Sequence, residues 1–449
     1  MWVAIGAVAF YLAYASANAG AFVLVYLFAL LQLAQSTKWR AAYYCGLVTG
    51  LIIAASRLTF FWNIFGPGAI ALWLVFAFWI GLFAALARLC LRRVRAPWGW
   101  LLVPFLWTGL EYFRSELYYL KFSWLNPGYA FTAAPKEVSL GQIGVYGVGF
   151  MLMAVACITA LLWRRSRMQA AAILLLGAAG IYLNGLRSPA NAPTTKATVR
   201  ISGIQMEFPT EPEVLTRLNQ LITAGPDFDV AVLSEYTFDC PPPAAMRQWC
   251  RKNQKYLIAG GKNPAPGSNF DNTAYVVGPE GNIQFQQVKA VPIQFFKDGR
   301  PAANQELWDS PWGKIGICIC YDLSYSRVTD RLARLGAQAL IVPTMDVADW
   351  GRRQHELHAR IAPTRAAEYG IPIFRLASSG ISQWVDRTGT VCASAPIEGE
   401  GAVLRANLEL RGPARLPLDR WLAPFSTVVT IGLIVGFLTA GGWESLRRR

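Results

Sequence analysis

The chain has 449 residues, 54% hydrophobic and 15% charged, with 17 Trp and a formal net charge of +15. It is too apolar for a single soluble domain and long enough for more than one domain. The basic excess gathers between apolar blocks, which assigns it to membrane topology and membrane-surface contact and sets nucleic-acid binding aside.

Apolar blocks run from Met1 to about Leu186, an ordinary globular composition from Lys196 to about Leu410, and Ala423–Trp443 is apolar again. A bilayer core takes about 20 apolar residues of helix. Segments 2–17, 19–35, 41–62, 69–91, 99–113, 143–163, 169–186 and 424–443 read as candidate spans, about eight transmembrane helices. The first two are short and joined by "SANAG", so they form either a tight hairpin or one segment read as two. The first lacks a basic start and further spans follow at once, so a cleaved leader is not expected. With the N-terminus in the cytoplasm, Lys38 and Arg40, Arg92, Arg93 and Arg95, Arg164, Arg165 and Arg167, and Arg447, Arg448 and Arg449 all face that side. The opposite connection "NIFGPG" holds no basic residue. This pattern places 187–420 outside the cytoplasm. Three parts are expected: a helix bundle over 1–190, a globular domain over 196–412, and a last span with a basic tail over 421–449. "SPANAPTTK" (188–196) is the clearest boundary.

In the globular part, "ATVRISGIQ", "DVAVLSE", "KYLIAGG", "NTAYVVG", "KIGICIC", "QALIVPT", "IPIFRLAS" and "GISQWVD" read as strands. Between them "EPEVLTRLNQLITA", "PAAMRQWCRKN", "VTDRLARLG" and "QHELHARIAPTRAAEYG" have helical spacing. The alternation predicts a layered α/β domain with buried apolar strands.

Of the cysteines, Cys45, Cys90 and Cys157 fall in spans and read as small packing residues. Cys240, Cys250, Cys318, Cys320 and Cys392 make an odd set in an oxidising compartment, which points to a free, reactive thiol; Cys240 and Cys250 are near enough for a small disulfide. Cys318 and Cys320 share one strand face, with Cys320 at the end where the strand turns polar. A thiol nucleophile needs a base. Glu235 ends "DVAVLSE" and Lys289 ends "NIQFQQVK", so a carboxylate–lysine pair can meet Cys320 if those strands are neighbours. A Cys–His pair with His355 or His358 stays open. A zinc site of Cys318, Cys320, His355 and His358 is disfavoured, because C-x-C is not the usual ligand spacing. Phosphate-loop, nucleophile-elbow and zinc-protease motifs are absent. Trp308, Trp312 and Trp350 are candidates for dipping into lipid or for packing, and Glu111 with Arg114 reads as a helix-end ion pair.

"LSE", "NTAYVVGPEGNIQFQQVK" and "GICICYD" resemble the nitrilase superfamily. "WTGLEYFRS", "FSWLNPGYAF", "QIGVYGVGF" and "RAAEYGIPIFRLASSGISQWVDRTGTV" resemble the bacterial apolipoprotein N-acyltransferases, the membrane-embedded branch of that superfamily. The resemblance implies an αββα sandwich on the periplasmic side of a bundle of about eight spans in the inner membrane. It implies a Glu235–Lys289–Cys320 triad, supported by Tyr321, Asp322 and Asn272, and no cofactor or metal. It also implies acyl transfer from a phospholipid, through a Cys thioester, to the amine of a diacylated apolipoprotein. The chain departs from the family in having Asp322 where Glu is usual and "SEY" where "PET" is usual. It has "KAVPIQFFKDG" in place of a stretch with an essential glutamate, for which Asp298 is the candidate substitute. A membrane-anchored amidase or nitrilase-like hydrolase, with water or another amine as acceptor, is the alternative; a non-catalytic scaffold is a third.

Overall fold

The computed structural model describes all residues except 17–18, 37, 164, 186–196, 268, 398, 400 and 448–449, and gives the backbone alone for 181–185 and 441–447. The expected boundary at 188–196 and the basic residues Arg164, Arg448 and Arg449 lie outside the described residues. The chain divides into two compact units, Met1–Ser188 with Pro417–Arg449, and Pro189–Leu416.

The first unit is helical. Its apolar blocks become α1 (Trp2–Ala15), α2 (Phe22–Ala34), α3 (Trp39–Arg57), α4 (Phe60–Phe65), α5 (Gly68–Arg93), α6 (Trp98–Tyr112), α7 (Leu140–Trp163) and α8 (Arg167–Gly185). The first pair is two helices, with the Phe10 and Tyr26 rings 4.9 Å apart across them. The expected span 41–62 is broken at Leu58: the buried Arg57 guanidinium bonds the Tyr11 carbonyl and lies 3.8 Å over the Tyr11 ring, and the chain leaves the helix. Among the described residues, Gly68–Arg93, Leu140–Trp163 and Asp419–Ala440 are long and apolar enough to cross a membrane; Trp2–Ala15, Phe22–Ala34 and Arg167–Gly180 are apolar but shorter.

Small residues set the closest packing. A Cβ on Gly46 would lie 2.9 Å from Ala84 Cβ and one on Gly50 2.8 Å from Ala77 Cα, so α3 meets α5 backbone to backbone. Within α7, Gly144 has φ 73° and interrupts the helix. The Asp419 carboxylate sits where its Cβ would be and accepts the Tyr146 N–H at 2.9 Å. The expected Glu111–Arg114 ion pair is not formed. A π turn at Phe113–Leu117 rotates Arg114 toward Asn126 Oδ1 (2.6 Å) and the Phe122 carbonyl (3.3 Å), and neither Glu111 oxygen has a hydrogen-bond partner among the described residues.

The second unit alternates strands and helices: β1 (Ala197–Ile204), α9 (Glu211–Thr223), β2 (Val230–Val232), α10 (Ala244–Asn253), β3 (Tyr256–Ala265), β4 (Asn269–Val277), β5 (Ile283–Val288), β6 (Leu307–Ser310), β7 (Gly313–Ile317), α11 (Ser326–Arg334), β8 (Ala339–Thr344), α12 (Arg352–Ala359), α13 (Ile361–Tyr369), β9 (Ile373–Ala377), β10 (Ser382–Val385), β11 (Val391–Ala395) and β12 (Val403–Leu410). The final helix, α14 (Asp419–Arg447), returns to the first unit. The helix-like stretch after Arg352 is two helices, because Pro363 has no N–H to carry the ladder on from α12.

Two six-stranded sheets form, in the orders β12-β1-β2-β3-β4-β5 and β11-β10-β9-β8-β7-β6. In each, three consecutive strands are parallel, β1-β2-β3 and β7-β8-β9, and the remaining pairs are antiparallel. Val214, Leu218 and Leu221 of α9 and Trp249 of α10 bury their apolar face on Ile204, Ala231, Leu257 and Val277 of the first sheet. The sheets pack on each other so closely at Gly203 that a Cβ would lie 2.6 Å from Leu376. Helix–sheet–sheet–helix layering follows, with every residue of β2, β8 and β9 buried.

Candidate active site

Strand ends converge, though not where alternation alone puts them. The strand of "DVAVLSE" stops at Val232, and Glu235 lies three residues on, just before Tyr236 at φ 56°. Gly260 on β3 admits that backbone: a Cβ there would lie 2.6 Å from Glu235 Cα. Lys289 directly follows β5. The strand of "KIGICIC" ends at Ile317, earlier than expected, because the chain must reverse to seat Cys320. That residue opens a 3-10 turn, Cys320–Ser324, at φ 50°. Cys318 stays fully buried behind it.

These side chains share one buried cluster. Glu235 Oε1 accepts from Lys289 Nζ at 2.8 Å and Asn272 Nδ2 at 2.6 Å. Lys289 Nζ also lies 2.7 Å from Asp298 Oδ2, so one ammonium bridges two carboxylates. Asp298 takes further bonds from Tyr236 Oη (2.6 Å), Asn272 Nδ2 (3.0 Å) and the Ile293 N–H (2.7 Å). Asp322 accepts the Ile319, Ala290 and Val291 N–H groups, the last at 2.7 Å, and so ties the segment after Lys289 to the turn that carries Cys320. Tyr321 packs edge-on against Tyr325 at 4.9 Å. The Met345 backbone, just past β8, touches both Glu235 and Cys320: its N–H donates to Glu235 Oε2 at 2.9 Å, and its carbonyl accepts the Cys320 thiol at 3.6 Å.

Charge is distributed unequally here. Burial raises Glu235 above the usual carboxylate range, against the pull of Lys289. Burial by itself would lower Lys289, but Asp298 and Glu235 outweigh it and hold the ammonium well above its ordinary value. For Asp298, burial is overcome by Lys289 and by Tyr236, and its pKa falls. Asp298 thus carries the settled negative charge and Glu235 is the more basic of the two. Burial and Glu235 push the Cys320 thiol well up, while Lys289 draws it back, so the resting sulfur is protonated. Asp322 is raised by burial to about 6, against Lys289 and its three N–H donors.

A second buried network escaped the sequence. Asp346 holds His358 Nδ1 at 2.8 Å and Gln354 Nε2 at 2.9 Å, and pairs with the Arg375 guanidinium. Burial would raise Asp346, but His358 and Arg375 force it far below the carboxylate range; His358 is lowered, chiefly by burial. Arg375 was the available signal: an arginine inside the all-buried strand "IFRLA" demands a buried anion. His358 is thereby turned to Asp346, the His355 ring has no hydrogen-bond partner among the described residues, and the Cys320 thiol bonds to Met345, so no Cys–His pair forms. Among the described residues no group of three or more His, Cys, Asp or Glu is placed to hold a metal.

All eight cysteines are free thiols, so Cys240 and Cys250 are not bridged. Trp308 is only 3% exposed and packs between Tyr256 and Trp312, which removes it from any lipid contact. Trp350 instead meets the ring of Phe296, next to the exposed Phe295.

Residues 6–158 match the family model of the apolipoprotein N-acyltransferase N-terminal domain, and 226–412 match that of the carbon-nitrogen hydrolases. An apolipoprotein N-acyltransferase of Shewanella oneidensis is 25% identical over 396 residues, covering 77% of this chain and 76% of its own length. One of Geobacter metallireducens is 24% identical over 432 residues, covering 83% and 82%. Among solved structures, Saccharomyces cerevisiae Nit3, of the nitrilase superfamily, is 20% identical, with a TM-score of 0.42 over 48% of this chain and 91% of that one.

Proposed function

Because the chain belongs with the apolipoprotein N-acyltransferases, matched in both its helical and its hydrolase parts, we propose that it moves an acyl chain from a phospholipid to an apolipoprotein by way of Cys320. The observation that carries this reading is the Met345 backbone, whose N–H and carbonyl hold a raised carboxylate and a protonated thiol on one residue beside the Lys289 ammonium. The thiol proton passes to Glu235 as the sulfur attacks the ester carbonyl. Lys289 Nζ meets the developing oxyanion, a contact of a kind worth about 3 kcal/mol. The C–O bond to glycerol breaks, and Glu235 returns the proton to the leaving oxygen, releasing a lysophospholipid and leaving a thioester. Glu235 then takes a proton from the α-amine of a diacylglyceryl-cysteine; the amine attacks, the C–S bond breaks and the thiol is restored. Tyr321, Asp322, Asn272 and Asp298 act by holding this cluster. The first unit serves as the membrane part, about eight spans by the charge pattern, with the hydrolase unit on the periplasmic face of the inner membrane.

Intact mass spectrometry of the protein incubated with phospholipid tests the scheme. A hydroxylamine-sensitive acyl adduct is expected on the native chain and none on Cys320→Ala. An adduct on both would move the nucleophile elsewhere. Fatty acid released equally fast with and without an amine acceptor would make the protein a hydrolase.

A further inference from the structure

The parallel strands β8 and β9 make their last ladder pair at Thr344 and Ala377. Met345 and Asp346 lie beyond it, yet the Met345 carbonyl is the group that receives the Cys320 thiol. A side chain takes over the pairing there. The Ser378 hydroxyl, fully buried just past β9, accepts the Asp346 N–H at 3.0 Å and donates to the Asp346 carbonyl at 2.9 Å. The Ser379 N–H gives that carbonyl a further bond at 3.2 Å. The Asp346 carboxylate is held from other directions, by Gln354 and His358 of α12 and by Arg375 of β9, which also donates to the Ile381 carbonyl. Gly380 packs so close that a Cβ on it would lie 2.5 Å from Asp346 Oδ2. Residue 346 is thus tied by backbone and side chain at once.

Peptide geometry carries this restraint to the thiol. The Met345 carbonyl and the Asp346 N–H belong to one planar trans unit and point in opposite directions. Fixing the N–H on Ser378 therefore fixes the carbonyl on the far side, where Cys320 Sγ lies 3.6 Å away. On the reading of Cys320 as the nucleophile, we propose that Ser378 is a positioning residue, which aims the Met345 carbonyl at the thiol through the Met345–Asp346 peptide. Its hydroxyl hydrogen-bonds neither Cys320 nor Glu235 among the described residues, so its effect passes wholly through that peptide. The charged groups around Asp346 hold the peptide's far end still, and the hydroxyl sets the plane's rotation. Support of this kind decides how well a reacting group is held.

Infrared difference spectroscopy of the full chain reads the thiol's bond, because a hydrogen bond lowers the S–H stretching frequency. The Cys320 band, identified by its loss in Cys320→Ala, should move up in Ser378→Ala and return in Ser378→Thr, which keeps the hydroxyl. The maximal rate of acyl-adduct formation should fall about tenfold in the Ala variant and recover with Thr, at an unchanged half-saturating phospholipid concentration. An unmoved band or an undiminished rate overturns the proposal, and a lower thermal midpoint as the sole effect would make Ser378 a purely structural strap. Should Ser378→Ala fail to fold, Ser378→Cys, a weaker partner in similar space, must move the Cys320 band the same way, read against that variant carrying Cys320→Ala; no movement refutes the clamp. The band needs neither lipid nor turnover. A native chain without an acyl adduct would therefore sink the proposed reaction, while the band alone still decides the role of Ser378.

Discussion

The two units treat a buried carboxylate in opposite ways. In the second unit Glu235 and Asp298 have every oxygen bonded, and one lysine joins them. In the helical unit Glu111 is 4% exposed with neither oxygen bonded among the described residues, while Arg114, three residues on, spends donors on Asn126 and Phe122. A satisfied cluster is costly to break, because removing one member strands the others; an orphaned group has little left to lose. The depth of burial is similar, so partners rather than burial decide which residue a mutation punishes.

That contrast can be broken most sharply at Lys289. Lys289→Met should lower stability by about 3–5 kcal/mol, seen as a large fall in thermal midpoint, and abolish the acyl adduct. A folded, unshifted variant would show that the two carboxylates do not depend on the ammonium. In the helical unit Gly144→Ala should cost about 1–3 kcal/mol, since the new Cβ meets the Asp419 carboxylate at a φ of 73°; an unchanged melting curve would deny that fit. Asp298→Asn tests charge rather than packing. Protonated Glu235 is no base, so acylation should fall as pH drops through its raised pKa. Asp298 is one cause of that rise, so the Asn variant should move this acidic limb down, by about one pH unit. An upward shift, or none, would assign the limb to another group. The smallest effect is expected at Glu111→Gln, within about 1 kcal/mol in thermal stability; a loss as large as that of Lys289→Met would erase the distinction.

Much of the fold was legible because patterning reports burial. Apolar blocks marked the helices, and short apolar runs marked the buried strands of both sheets. The strands missed were edge or thinly covered ones. Val391–Ala395 is small and mostly exposed, and Leu307–Ser310 has one buried residue in four. Val403–Leu410, an edge strand, was missed too, although it alternates exposed and buried along its whole length. At the site, Glu235, Lys289, Cys320 and Asn272 were each reachable as residue types at strand ends or by resemblance, but their mutual contacts were not. A positive φ at Tyr236 and at Cys320 carries no glycine to announce it. Asp298 meets Lys289 only because the loop between them folds back, which no local period encodes.

The bond pattern of Met345 has a mechanical meaning. Glu235 and Cys320, the proposed base and nucleophile, come from different sheets, and a small slip between the sheets would ordinarily change the distance over which the proton must travel. With the backbone of one residue gripping both, a displacement of β8's end carries Glu235 and Cys320 along together. The proposed pair then behaves as a single part in a flexing machine: vibration shared by both members cancels, and the proton's path keeps its length.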